Sequence, residues 1–209
     1  MWLPFFRKKT VQTLPQGRWL IVPLGNPGDE YTRTRHNLGR LLLQRWMDGH
    51  CAEPSTVRRL GFGTIYSLKE PFMALVPSTF MNQSGKAVLE AVKAGFPADR
   101  VLLLHDDKDL PLGTGRLSLD GRAAGHGGVG SVFAELGTQN VLRLRLGIGP
   151  FPRPLLDWVL GEWDDQEWET IGGMDPPFAE FMSRLAATQN PRGLRDQVNA
   201  REFWKNACN

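Results

Sequence analysis

The chain is short of the residues that would announce several common protein classes. It has two cysteines in 209 residues, Cys51 and Cys208, far apart and without metal-ligand spacing. A disulfide framework or a structural zinc site therefore has little to rest on, and reduced thiols are expected. No apolar run approaches the ~20 residues that a membrane helix needs. The opening MWLPFFRKK sets its apolar residues before its basic ones, the reverse of a secretory signal. The expectation is a cytoplasmic protein without membrane contact. There is no P-loop, no HExxH helix and no GxSxG elbow. Gly125, Gly127 and Gly130 do spell GxGxxG, but no apolar strand directly precedes them and no acidic residue stands about twenty positions on, so dinucleotide binding is rejected.

Charge is present but unevenly spread. The formal net charge is only +3, yet residues 1–50 carry eight Lys/Arg against three Asp/Glu, residues 51–150 eleven against nine, and residues 151–209 six against ten. Such polarity suits either a solvated surface or a polyanionic partner meeting one face. The length fits one domain of ordinary core size. Residues 1–17, with Arg7, Lys8 and Lys9, read as a basic N-terminal arm, residues 18–190 as the folded domain, and residues 191–209 as a C-terminal tail.

The domain reads as α/β. Trp19–Leu24 is an apolar strand, and an Asn-Pro-Gly turn follows it, since proline presets φ and glycine accepts φ > 0. The polar linker carries Arg33, Arg35, His36 and Asn37 to a helix over Leu38–Met47 with near-helical apolar spacing. GFGTIYSL and FMALVP, joined by a short turn, read as a hairpin, which makes the sheet mixed. Ser84 is a candidate N-cap for a helix carrying Val88, Leu89 and Val92. Val101–Leu104 is a strand covered on both faces. Arg116–Asp120 and Val141–Ile148 alternate as strands do, with GRAAGHGG a loop before a short helix near Ser131–Leu136. The remainder, with Trp158, Trp163, Trp168, Phe178, Phe181 and Met182, reads as acidic helices packed on the core. The prediction is a single-domain, mixed, mostly parallel twisted sheet with helices on both faces.

Three strands discharge into polar groups: Asn26, Asn82 and Asp106. Where those strands run parallel, all three groups reach the same sheet edge, which is where open α/β sheets bind ligands. Water attacks an ester well only when a base withdraws its proton, and histidine suits that task near neutrality. Of four histidines, His50 and His105 read as packing or capping residues, while His36 opens a helix downstream of Asn26 and has Asp106 as a carboxylate candidate. Asn26 serves equally as a turn residue or as an amide donor.

Four ordered segments sharpen this reading. LGNPGDEYTRTRHNLG from Leu24, VPSTFMNQSGKAV at 76–88, LLLHDDKDLPLG at 102–113, and GHGGVGSVFAELG at 125–137 followed by RLRLGIG resemble the blocks of bacterial-type peptidyl-tRNA hydrolases, over roughly residues 19–190. The resemblance implies cleavage of the ester between peptide and tRNA, with peptidyl-tRNA as partner through its acceptor end, and no metal or organic cofactor. It implies His36 as general base and Asp106 as the group holding its tautomer. It implies Asn26 and Asn82 on the substrate's peptide, with Phe80 and Met81 as the pocket wall, and His126 on a mobile lid near the acceptor end. Tyr31 aligns with an aromatic position near that pocket, although a core or surface role fits its sequence context equally.

The lid departs from the family's pattern. Where the family has Gly-His-Gly-Gly-His-Asn-Gly, Val129 and Gly130 stand in place of the second histidine and the asparagine of the substrate-binding lid, and Ala123 and Ala124 replace part of the preceding glycine run. Losing one positioning amide costs a few kcal/mol of transition-state stabilisation, slowing catalysis without abolishing it. Lys108, Arg116, Arg143 and Arg145 are the candidate tRNA contacts, with Arg33, Arg35 and Arg122 as further basic residues. The expected assembly is a monomer. The rival reading is a non-catalytic RNA-binding scaffold on the same fold, with Gly130 its best support.

Overall fold

A computed structural model describes residues 17–51, 54–151, 154–188 and 190–205. The expected basic arm, apart from Gly17, and Cys208 lie outside the described residues. The sheet has seven strands: β1 (Trp19–Pro23), β2 (Ser55–Arg59), β3 (Gly63–Ser67), β4 (Phe72–Pro77), β5 (Val101–Pro111), β6 (Gly115–Ser118) and β7 (Leu142–Gly149), in the order β2-β3-β4-β1-β5-β7-β6. β4, β1, β5 and β7 run parallel, while β2, β3 and β6 pair antiparallel at the two sides. The mixed, mostly parallel sheet read from the hairpin is present. β2 was not anticipated, because STVRR is polar and mostly exposed and carries no alternating apolar signal.

The central strands are apolar on both sides because helices cover both sides. Trp19 and Ile21 of β1 and Leu102 and Leu104 of β5 join one buried cluster; Leu20, Val22, Val101 and Leu103 join the other. The first cluster includes Leu38, Leu42 and Trp46 of α1 (Leu38–His50) and Phe178, Phe181 and Met182 of a later helix. The second includes Val88 and Ala91 of α2 (Ser84–Lys93) and Val132 of α3 (Gly127–Leu136). Gly39 sits where a Cβ would come within 2.6 Å of the Leu104 carbonyl oxygen, so its lack of a side chain lets the first turn of α1 press onto β5. Gly85 does the same for α2 against the Ser131 carbonyl of α3, at 2.2 Å.

Ser84 does not cap α2. It is the first residue of the helix, and its Oγ donates to the Met81 carbonyl at 2.9 Å, closing the turn that leads in. The chain continues with α4 (Leu155–Leu160), α5 (Asp165–Gly173), α6 (Asp175–Ala187) and α7 (Pro191–Val198). The last of these corrects the tail expected over 191–209. Leu194, Val198 and Trp204 are buried, and the Asn199 side chain pairs with both the N–H and the C=O of Leu117 on edge strand β6, at 2.7 and 3.0 Å. A short polar stretch reads as a tail when the sheet edge it covers is invisible in sequence.

Candidate active site

Parallel β1, β4 and β5 deliver their following residues to one sheet edge, as expected. A cavity of about 770 Å³ opens there, lined by Asn26, His36, Asn82, Asp106 and His126 among others. Asn26, just beyond β1, is clamped from several sides. Its N–H donates to Asn37 Oδ1 at 2.8 Å, and its carbonyl accepts from Asn37 Nδ2 at 3.0 Å and Arg40 at 3.2 Å. Its Oδ1 accepts from the Met81 N–H at 2.8 Å. That last bond fixes the amide's orientation and leaves the Nδ2 hydrogens as the end that can donate to a ligand. Burial lowers the Arg40 pKa to about 10, and its second nitrogen reaches the Pro77 carbonyl at the end of β4, 2.8 Å away. Arg40 and Asn37 thus tie two strand ends together.

Asp106 lies in β5 one residue beyond the apolar tetrapeptide, after His105, and is 3 % exposed. Its carboxylate receives His36 Nδ1 at 2.9 and 3.1 Å and His126 Nε2 at 3.0 Å. Burial alone would raise the Asp106 pKa, but the charges and hydrogen bonds of His126 and His36 together hold it far below the ordinary carboxylate range. A buried carboxylate accepting from His36 Nδ1 places the ring's proton there and leaves Nε2 as a lone-pair base. Burial presses the His36 pKa down, while the charge of Asp106 and its hydrogen bond outweigh burial and leave it raised above 6.5.

His126 has no such freedom. Its Nδ1 accepts from the Val129 N–H at 3.2 Å, capping α3, so the ring proton sits on Nε2 and is donated to Asp106. Both nitrogens are engaged and its side chain is 8 % exposed. His126, expected near the acceptor end, thus meets the carboxylate that also holds His36. The helix expected near Ser131–Leu136 begins at Gly127, because the histidine cap starts α3 earlier than the glycines of the expected GRAAGHGG loop suggested. Ala124 has a φ of 50°, a strained value for a residue with a side chain, between Gly121 and Gly125, both also at positive φ.

Sequence reading missed His105 as part of the site. It is 2 % exposed, its Nδ1 donates to the Asp106 carbonyl oxygen at 2.8 Å, and its ring meets that of His126 edge-on at 4.8 Å. Burial above all holds its pKa well below 6.5. Asn37, Arg40 and the α4 residues Leu155, Leu156, Val159 and Leu160 were also missed; no local signal marks a residue that acts by meeting another far along the chain. Phe80 and Met81 line the cavity, and Tyr31 packs edge-on to Phe80 with ring centroids 6.4 Å apart.

The four tRNA-contact candidates separate. Arg143 is buried, and its guanidinium donates to the carbonyls of Asp120, Gly121 and Arg122, so it braces the loop before His126 and offers nothing to a phosphate. An alternating strand pattern puts an arginine on a face but does not say what covers that face. Arg145 pairs with Asp107 at 2.6 Å, Lys108 with Asp109 at 2.6 Å, and Arg116 is exposed on β6 directly across from Arg145. Gly130 lies in the first turns of α3, where an added Cβ would meet only the Ala123 Cβ at 3.9 Å.

His36, Asp106 and His126 each bring one nitrogen or oxygen within 4.8 Å of the others, the spacing of a possible metal site. Hydrogen bonds between ring N–H groups and the carboxylate account for the cluster as it stands. A buried carboxylate orienting a histidine with one nitrogen free, beside amide donors, is an arrangement that can withdraw a proton from water as it attacks an ester, the chemistry of a hydrolase. The comparisons with known proteins agree with that class. The family model for peptidyl-tRNA hydrolase matches residues 20–203. A peptidyl-tRNA hydrolase of Bacteroides fragilis is 46% identical over 158 residues, spanning 74% of this chain and 84% of the relative. One from Nitratidesulfovibrio vulgaris is 38% identical over 194 residues, spanning 87% and 96%. The crystal structure of the Acinetobacter baumannii peptidyl-tRNA hydrolase superposes with a TM-score of 0.76 at 30% identity, covering 88% of this chain and 95% of that one. The chain belongs to the peptidyl-tRNA hydrolase family.

Proposed function

We propose that this chain hydrolyses the ester between a peptide and the 3′ ribose of tRNA, releasing free tRNA for reuse in translation. The observation that carries the reading is His36, its Nδ1 bound to buried Asp106 and its Nε2 left as a base beside the cavity that Asn26 and Asn82 line. His36 Nε2 takes a proton from water as the water attacks the ester carbonyl, and returns it to the departing ribose oxygen. Asp106 holds the tautomer and stabilises the cation that forms. The Asn26 Nδ2 group, aimed by the Met81 N–H on its oxygen, donates to the peptide or to the carbonyl as it becomes anionic. Asn82 lies beside it on the substrate side, and Tyr31 with Phe80 forms an aromatic wall.

His126 acts as a positioning residue on Asp106, and no metal or organic cofactor enters a step. Lys108, Arg116 and Arg145 are the residues proposed to meet the acceptor-end phosphates. The enzyme is taken as a cytoplasmic monomer; no helix among the described residues is long and apolar enough to cross a membrane. The scaffold reading is disfavoured, because a chain without catalysis has no use for a histidine, a carboxylate and an oriented amide held together at this density. Release of free tRNA from an N-blocked aminoacyl-tRNA tests the assignment. Native protein is expected to turn over and His36→Ala to bind tRNA without turnover; a His36→Ala protein that still cleaves overturns it.

A further inference from the structure

Among the described residues four large apolar side chains are exposed: Phe62, Phe80, Leu156 and Leu160. Phe62 has the Lys86 ammonium 5.6 Å from its ring. The other three line the catalytic cavity. The cavity is therefore graded. Its deep groups are polar, with Asp106 3 % exposed, while its outermost are apolar, with Leu156 66 % and Phe80 55 % exposed. Scattered apolar side chains on a surface need no explanation, but convergence on one cleft does.

Helix α4, which carries the two leucines, is pinned. The Arg35 guanidinium lies 3.7 Å from the Trp158 ring centroid and bonds Glu167, Trp158 Nε1 donates to the Ile148 carbonyl at 3.3 Å, and Val159 is buried. Leu156 and Leu160 are thus held in place rather than free to fold inward over apolar neighbours. We propose that Leu156 and Leu160, with Phe80, form a subsite for an apolar side chain of the peptidyl group, so that the enzyme favours peptides with a large aliphatic or aromatic residue near the ester. The occupant follows from continuity. A peptide whose carbonyl carbon stands at His36 must leave through the same cavity, and its backbone groups meet the amides of Asn26 and Asn82 while its side chains meet the carbon surface.

The inference rests on the hydrolase reading, and its test separates the two. One tRNA is charged with N-acetylleucine and with N-acetylglycine, so the RNA stays constant. Native enzyme is expected to show kcat/KM about tenfold higher for the leucyl ester, in the range set by a side chain entering an apolar site. The Leu156→Ser/Leu160→Ser double variant is expected to bring that ratio close to one. General weakening of the fold lowers both rates together and leaves the ratio where it was, which counts against the subsite, as does a native ratio near one. Cleavage of neither ester by native enzyme sinks the hydrolase reading alone. The subsite is then decided by NMR titration with N-acetylleucinamide and N-acetylglycinamide, where leucine preference lost in the double variant supports it and equal binding overturns it. A dimer seen by sedimentation and abolished by the same substitutions overturns it too, since the leucines would then face a second copy.

Discussion

The loop that delivers His36 and the loop that delivers His126 meet at one carboxylate oxygen, yet they are held by different means. Residues 24–37 interlock largely through their own side chains: Asn26 with Asn37 in both directions, with Arg40 on the carbonyls of Asn26 and Pro77, and Arg35 against Glu167 and Trp158. Residues 120–126 are poor in side chains and are braced from outside, by the Arg143 guanidinium on three consecutive carbonyls and by His126 capping the Val129 N–H. The consequence is chemical. The self-locked loop presents a histidine with one nitrogen to spare, while the braced loop presents one with none. On the proposed mechanism, the two histidines on the same carboxylate divide into a base and a support.

The largest expected effect tests that division directly. His36→Ala should lower the single-turnover rate on N-blocked aminoacyl-tRNA by about a thousandfold and His126→Ala by about tenfold, within the span usual for a general base against a group acting at one remove. Equal losses would break the comparison.

Next comes the carboxylate itself. Activity needs His36 unprotonated, so kcat/KM should rise with pH through a value above 6.5, because the Asp106 charge and hydrogen bond outweigh burial. In Asp106→Asn only burial remains, which lowers the pKa, so the acid limb should move to lower pH. The plateau rate should fall by about a hundredfold or more as the tautomer is lost. A pH–rate profile showing the limb unmoved would detach Asp106 from His36.

A smaller effect separates brace from phosphate contact. Arg143→Ala should lower unfolding stability by about 2–3 kcal/mol, the scale of hydrogen bonds made by a charged group. Arg116→Ala should leave the melting temperature alone and reduce the salt slope of tRNA binding by about one counterion. Binding isotherms across salt concentrations, with thermal melts, read both; a changed salt slope for Arg143→Ala would return it to the RNA surface. The smallest change is Gly130→Asn. With only the Ala123 Cβ at 3.9 Å from the new Cβ, stability should stay within about 0.5 kcal/mol, aided by asparagine's better helix propensity. Gly130 is not among the cavity-lining residues, so the turnover rate should rise by a few-fold at most, well short of the few kcal/mol that a preorganised amide supplies.

The four-residue apolar run of β5 followed by His105-Asp106, and the strand-turn-helix corner ending in His36, were legible because strand burial and turn chemistry are written locally. So were the α/β class, the hairpin that makes the sheet mixed, and the arrival of Asn26, Asn82 and Asp106 at one edge, since parallel strands share an end by geometry. Arg143 and α7 were not legible. An arginine on an alternating strand points either to water or to a loop, and which one depends on whether residues 120–122 fold back over it. Residues 191–198 look like a tail until β6 supplies an edge for Asn199 and a floor for Leu194. Local pattern determined the elements and the chemistry each carries; long-range contact alone decided which polar groups are spent on one another. Arg35 on Glu167, Arg143 on a loop and His126 on Asp106 are bonds between residues far apart in the chain. Only after those donors and acceptors are satisfied does His36 Nε2 stand out as the nitrogen on which the proposed base catalysis rests.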